Sequence, residues 1–460
     1  MPALDDGRLD VAALDMAALD LGSLDMAALD LGSLGIGSLD IGALVMGSLG
    51  IGDSPRQSMP KLHDRSIKAN RPMAAAPQFS TDHFALRLGA FYAAYFFFGG
   101  VQLPFFPLWL EARGLDARTI GVVIAAPMIV RIVATPIIAH QADRHRALKA
   151  TLVIASIVGA LAMTMVGLVQ GTVAIFLAFT LAAVAFSPVL SLTDAYALSG
   201  LSVRGRAYGP VRLWGSVAFI AGNVGAGIVL GFIAPGHLIW LIVAALFVSV
   251  MAAVALVPLD AGGRPVPATV MHSPKALLRN PVFLAVALAS SLIQGSHALY
   301  YGFSTLQWRA TGLDGTAIGL LWGLGVAAEI VLFALSTRLP SVLRPTALMA
   351  IGGLGAVIRW SAMAFDPPAA MLPLLQVLHA ASFGATHLGA MGFLARAVPR
   401  ELAASAQGIV ATVSGVVTAS ATAAAGLIYA TSGSLAYLVM AAMALVGLMS
   451  ALYAGRRWQD

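Results

Sequence analysis

From residue 84 onward the chain is a succession of apolar runs of about 20 residues, broken by short polar turns. A helix of that length spans the roughly 30 Å hydrocarbon core of a bilayer. Twelve such runs fall at residues 84–110, 118–140, 148–169, 172–198, 212–234, 238–258, 281–308, 316–338, 346–365, 370–396, 402–430 and 435–454. The longest connection, 259–280, lies between the sixth and seventh runs. The pattern predicts an all-α membrane protein with a first six-helix unit (84–258), a cytoplasmic central loop (259–280) and a second six-helix unit (281–455).

Residues 1–83 follow a different rule. Residues 2–51 divide into ten pentads with Leu always third, and residues 54–82 are polar and contain proline. The pentads resemble pentapeptide repeats, which wind into a four-sided β-helix, but ten units make only about two and a half coils and repeat arrays need stacked neighbours. The segment therefore reads as a disordered low-complexity tail followed by a linker. Met59 or Met73 would be the natural beginning if the pentads came from a mis-set start.

The two units repeat one another. GLDARTIG (114–121) returns as GLDGTAIG (312–319), each just before an even-numbered run, and the offset of 198 places Arg131 opposite Glu329. Parallel six-span repeats with a substrate site between them mark the major facilitator architecture. Alternating access then comes from rocking one bundle against the other.

Composition agrees. Hydrophobic residues make up 59%, charged residues 10%, and the mean hydropathy is +0.87. The net charge of +6 is not a nucleic-acid footprint, because its basic residues are scattered singly between apolar runs. With both termini inside, fifteen Lys and Arg fall in inner loops and the C-terminal end, against three (Arg113, Arg118, Arg309) outside. That asymmetry orients the chain with both termini cytoplasmic. No cysteine is present, so disulfides and thiolate metal sites are excluded. No phosphate-binding loop, zinc-protease pair or hydrolase nucleophile elbow occurs, so no cofactor, metal or enzymatic activity is expected. Without a nucleotide site, transport is gradient-driven or passive.

Four charges stand alone within apolar stretches: Arg131 in 120–139, Asp194 in 173–198, Glu329 in 317–337 and Arg359 in 347–365. Each costs about 2.5–3.5 kcal/mol at bilayer depth, so several in separate spans point to use. A carboxyl there, such as Glu329, can load and release a proton as its surroundings change. A static buried pair is the plainer reading. His297, Tyr300, Tyr301 and Trp308 on span seven, and His387 on span ten, offer hydrogen bonds and stacking to a ring-shaped solute, or ordinary packing.

PFFPLWL (104–110) and ADR (142–144) resemble the first spans and first cytoplasmic loop of lactose-permease-type sugar:proton symporters. QGSHALYYGF (294–303) and LHAASFGATHLGAM (378–391) resemble the phenylpropionate-permease branch of the same superfamily. The resemblance covers about residues 80–455 and implies the major facilitator fold. It further implies a substrate-binding pair in Asp194 and Arg212, and proton coupling by Glu329, Arg359 and His379. Asp143 and Arg144 stand in a degenerate form of the superfamily loop motif and imply a gate. Arg131 lies on span two, a gate-forming helix in this fold, and equally could attract an anion such as an aromatic carboxylate or pair with Asp194 or Glu329. One position departs. Where the sugar symporters carry a carboxylate three residues after the span-ten histidine, this chain has Ser382, so coupling rests on Glu329, with Asp194 or His387 as helpers, or is absent.

The reading is a monomeric secondary transporter of the cytoplasmic (inner) membrane. It imports a small organic solute, an aromatic carboxylate ahead of sugars and nucleosides, with protons. An exporter, an uncoupled facilitator or a non-transporting sensor of the same fold are the alternatives.

Overall fold

A computed structural model describes residues 83–145, 147–259, 275–340, 343–399 and 402–458. The pentad tail, expected to be disordered, and most of the central loop lie outside the described residues. The first bundle comprises α1 (Phe84–Ala112), α2 (Ala117–Arg144), α3 (Leu148–Leu168), a fourth span built from α4 (Thr172–Phe186) and α5 (Val189–Val203), α6 (Tyr208–Val229) and α7 (Leu238–Val254). The short α8 (Lys275–Arg279) leads into the second bundle. That bundle holds a seventh span of α9 (Pro281–Gly295) and α10 (Ala298–Ala310), then α11 (Gly315–Leu335) and α12 (Pro345–Met363). The tenth span is α13 (Leu372–His379) and α14 (Thr386–Ala397), followed by α15 (Ala403–Ser432) and α16 (Tyr437–Arg457).

Eleven described stretches are long and apolar enough to cross a membrane, and the last, Ser405–Arg457, runs for 53 residues. As one helix it would reach about 80 Å, far beyond a bilayer. The 3-10 turn Gly433–Ala436 folds it into α15 and α16, which makes twelve spans. Side chains facing outward are apolar: Phe232 is 84% exposed, Val173 71% and Leu374 64%. Such a surface belongs against lipid.

Spans four, seven and ten are interrupted, at intervals of three. Ser187 and Pro188 separate α4 from α5, Ser296 and His297 separate α9 from α10, and a π-turn, Ala380–Ala385, joins α13 to α14. Broken helices at membrane depth need protein or a cavity beside them, and Ser187, Ser296, His297 and Ser382 at the breaks are all buried.

Within the first bundle α1 packs on α6 and α7, and α3 on α4 and α7; within the second α16 packs on α9 and α12. The bundles meet where α2 lies against α15, α6 against α11, and α1 against α10. The repeated octapeptide builds two of these seams. Asp116 Oδ1 accepts from the Thr119 N–H at 2.9 Å and Asp314 Oδ1 from the Ala317 N–H at 2.7 Å, which starts α2 and α11. These bonds from Thr119 hold the Asp116 carboxyl below the usual carboxylate range. The octapeptides end on Gly121 and Gly319. A Cβ on Gly121 would stand 2.8 Å from the Gly426 Cα of α15, and one on Gly319 would stand 2.4 Å from the Asn223 carbonyl oxygen of α6. Only glycine lets the bundles approach this closely.

Candidate functional site

Glu329, Arg359 and His379 come together in the second bundle, from α11, α12 and α13, all buried. Arg359 Nη1 lies 3.0 Å from His379 Nδ1, and Arg359 Nη2 donates to Gln376 Oε1 at 2.8 Å. A guanidinium only donates. His379 Nδ1 must therefore accept, and the ring proton sits on Nε2. That nitrogen faces Glu329 Oε2 at 3.5 Å. His379 thus stands between the carboxyl and the guanidinium, and Glu329 Oε1 has no hydrogen-bond partner among the described residues. Glu329 and Arg359 meet through the imidazole rather than directly. Tyr300 donates to the same Gln376 oxygen at 3.0 Å, and its ring lies 4.5 Å from the Arg359 guanidinium carbon.

Gln376 was not singled out in the sequence. It stands three residues before His379, on one face of α13, and that spacing is the only signal it offers.

His297 is buried beside this chain. Its Nδ1 is 3.1 Å from the Ile293 and Gln294 carbonyl oxygens, so Nδ1 carries the proton. Its Nε2 then accepts from the Ser382 hydroxyl at 3.1 Å. Both ring nitrogens of His297, a residue expected to bind solute, are engaged by protein. Its ring stacks on Tyr301 with centroids 5.7 Å apart and meets His379 edge-on at 5.4 Å. His387 stacks beyond Phe383 at 6.5 Å.

In the first bundle Asp194 and Arg212 are buried on α5 and α6. Asp194 Oδ1 accepts from Tyr92 at 2.5 Å and from Tyr208 at 2.7 Å. The Arg212 guanidinium carbon lies 3.9 Å from the Phe96 ring centroid and 5.4 Å from that of Tyr92. Tyr92 therefore touches both partners. Tyr92 and Phe96 carry no motif, whereas Tyr208 opens YGPVRLWGS (208–216), the stretch around Arg212.

A cavity of about 130 Å³ opens elsewhere, between α1, α2, α3 and α4 of the first bundle and α10 and α15 of the second. Its walls include Phe98, Phe106, Phe179, Phe186, Met128, Gln102, Thr418 and Thr422. Arg131 and Tyr301 also line it, and Arg131 is the one charged residue among the lining side chains. Arg131, read from the sequence as a gate residue or an anion site, lines this cavity. Of the residues expected to bind solute, Asp194, Arg212, His297 and His387 do not line this cavity, and Tyr301 does. Arg144 is exposed at the end of α2, where Asp143 contributes backbone to the last turn.

The MFS_1 like family matches residues 85–439, nearly all of the described helical region. The chain belongs to this family. It is therefore a transporter of the major facilitator type, not an enzyme. It is 34% identical to the probable 3-phenylpropionic acid transporter of Escherichia coli (strain K12) over 317 residues, 66% of this chain and 80% of that one. It is 27% identical to the maltose permease of Geobacillus stearothermophilus over 321 residues, 69% of this chain and 80% of the other. Among solved structures, the nucleoside transporter NupG superposes with a TM-score of 0.71 at 17% identity, covering 82% of this chain and all of that one. A bacterial homolog of the human lysosomal transporter Spinster gives 0.61 at 15% identity, covering 82% of this chain and 97% of that one. At these identities the structures share the fold.

Proposed function

We propose that this transporter imports a small organic carboxylate, aromatic ones first, together with a proton across the cytoplasmic membrane, as a monomer with both termini inside. The observation that carries the reading is the buried run Glu329–His379–Arg359. An acid held at membrane depth with one oxygen unpartnered has a reason to exchange a proton. His379 keeps the acid and the guanidinium apart by the width of one ring. A shift of α11 relative to α13 changes the charge that Glu329 faces and so decides whether the proton stays.

A carboxylate suits this arrangement. The Glu329 and Arg359 charges cancel, so a proton on Glu329 leaves one positive charge over. A monocarboxylate that enters with the proton removes it. Empty and loaded carriers then cross with the same net charge, avoiding about 2.3 kcal/mol per charge per 100 mV. The 34% identity to a probable 3-phenylpropionic acid transporter supports the same class.

The test is purified protein in liposomes that enclose a pH dye, with 3-phenylpropionate, maltose or uridine added outside. Protein-dependent acidification with 3-phenylpropionate above its rate through empty liposomes supports the reading. Acidification with maltose or uridine alone replaces the carboxylate by a sugar or nucleoside. Solute entry without acidification removes the proton.

A further inference from the structure

The residues that the sequence offers for substrate, Asp194 and Arg212, are engaged with Tyr92, Tyr208 and Phe96 and stand outside the cavity. The cavity itself has the chemistry of a small aromatic acid. Phe106 and Phe179 stack with centroids 4.5 Å apart, and Phe98 and Phe186 meet edge-on at 5.0 Å. Two aromatic pairs make an apolar wall for a ring. Arg131 brings the charge, with a planar fork that matches a carboxylate. Tyr301 comes from the other bundle. Its hydroxyl is buried and has no hydrogen-bond partner among the described residues.

We propose that this cavity is the substrate seat: Arg131 of α2 takes the carboxylate, the four phenylalanines take the ring, and the Tyr301 hydroxyl of α10 donates a second hydrogen bond to the same carboxylate. The inference rests on the carboxylate reading above and joins Tyr301, already expected to bind solute, to Arg131 and the four phenylalanines. One anion then contacts both bundles. It draws α10 towards α2, and its arrival is felt by His297, on which the Tyr301 ring stacks. A substrate that bridges the bundles supplies the energy to close them, because its two contacts are made together only when they approach.

The experiment is binding of 3-phenylpropionate and of its uncharged amide to the purified full-length protein, by calorimetry at one pH. Arg131→Gln is expected to weaken the acid by about 30-fold or more. It should leave the amide within about threefold, since the amide has no charge to lose. Tyr301→Phe keeps the ring and removes only the hydroxyl. It should weaken acid and amide alike by about tenfold, because both offer a carbonyl oxygen. Retained amide binding by Arg131→Gln shows that the fold survives. Wild-type affinity for the acid in both variants overturns this seat and leaves the transport reading standing. Loss of acid binding in Asp194→Asn, with both cavity variants unaffected, returns the substrate to Asp194. A wild-type protein that binds neither compound overturns the seat and the carboxylate reading together.

Discussion

The Ser382 hydroxyl donates to His297 Nε2 at 3.1 Å and ties span ten to span seven. The position that the resemblance gives to a carboxylate here donates to a histidine whose tautomer the Ile293 and Gln294 carbonyls set. Ser382→Ala removes the donor and leaves a buried acceptor, at a cost of about 1–3 kcal/mol in stability. The expected outcome is a lower thermal midpoint in detergent by tryptophan fluorescence, with solute-driven proton entry retained. Loss of proton entry with an unchanged midpoint would give Ser382 a part in proton movement.

Glu329→Gln keeps the shape of the acid and removes its proton exchange. In liposomes the variant should still exchange labelled for unlabelled 3-phenylpropionate but fail to accumulate it against a pH gradient. Full accumulation would take coupling away from Glu329.

Arg359 uses two nitrogens at once, one for His379 and one for Gln376. A lysine ammonium keeps the charge and loses the planar fork. Arg359→Lys should therefore lower the coupled uptake rate by about tenfold or more, the worth of one charge-assisted hydrogen bond. An unchanged rate would mean that charge alone is needed there.

One proton carried with one monocarboxylate moves no net charge. Uptake should follow an imposed pH gradient and ignore a potassium diffusion potential set with valinomycin. A response to the potential would change the stoichiometry or the charge of the solute.

Gly121 and Gly319 close two seams between the bundles at the ends where α2 and α11 begin. A leucine at both positions cannot fit against Gly426 and the Asn223 carbonyl, so the bundles must part at that face. The chain has no cysteine, so a single cysteine placed in the cavity reports access without background. Its labelling by an impermeant maleimide from the outer side should rise in the double variant. Unchanged labelling would show that these seams do not hold the face shut.

The twelve spans were legible because bilayer thickness sets a length that apolar runs must meet. Glu329 and Arg359 are legible because charge inside such a run is costly and stands out, whereas His379 is reached only through the family resemblance. Gln376 was not, since a neutral amide in a helix leaves no comparable mark. The break in span four is announced by Pro188, whereas the one at Ser296 and His297 has no proline and the π-turn no signature at all. Arg131 stays open between a gate and an anion site because its depth is readable in sequence but its bearing is not. Pro127 and Pro136 lie inside α2 on either side of it, and a proline bends a helix by an amount that the facing spans decide.

The π-turn Ala380–Ala385 separates His379 from His387 on one span. Such a turn absorbs one residue more than an α-turn does. If it tightens without losing a residue, Thr386 and all that follows rotate by about 100° around the helix axis and advance by about 1.5 Å. If one residue is deleted within it, the turn tightens with no rotation. Span ten thus holds one residue of slack beside the coupling chain. Taking up that slack swings His387 through more than a quarter of a circle while Glu329 and Arg359 keep His379 in place.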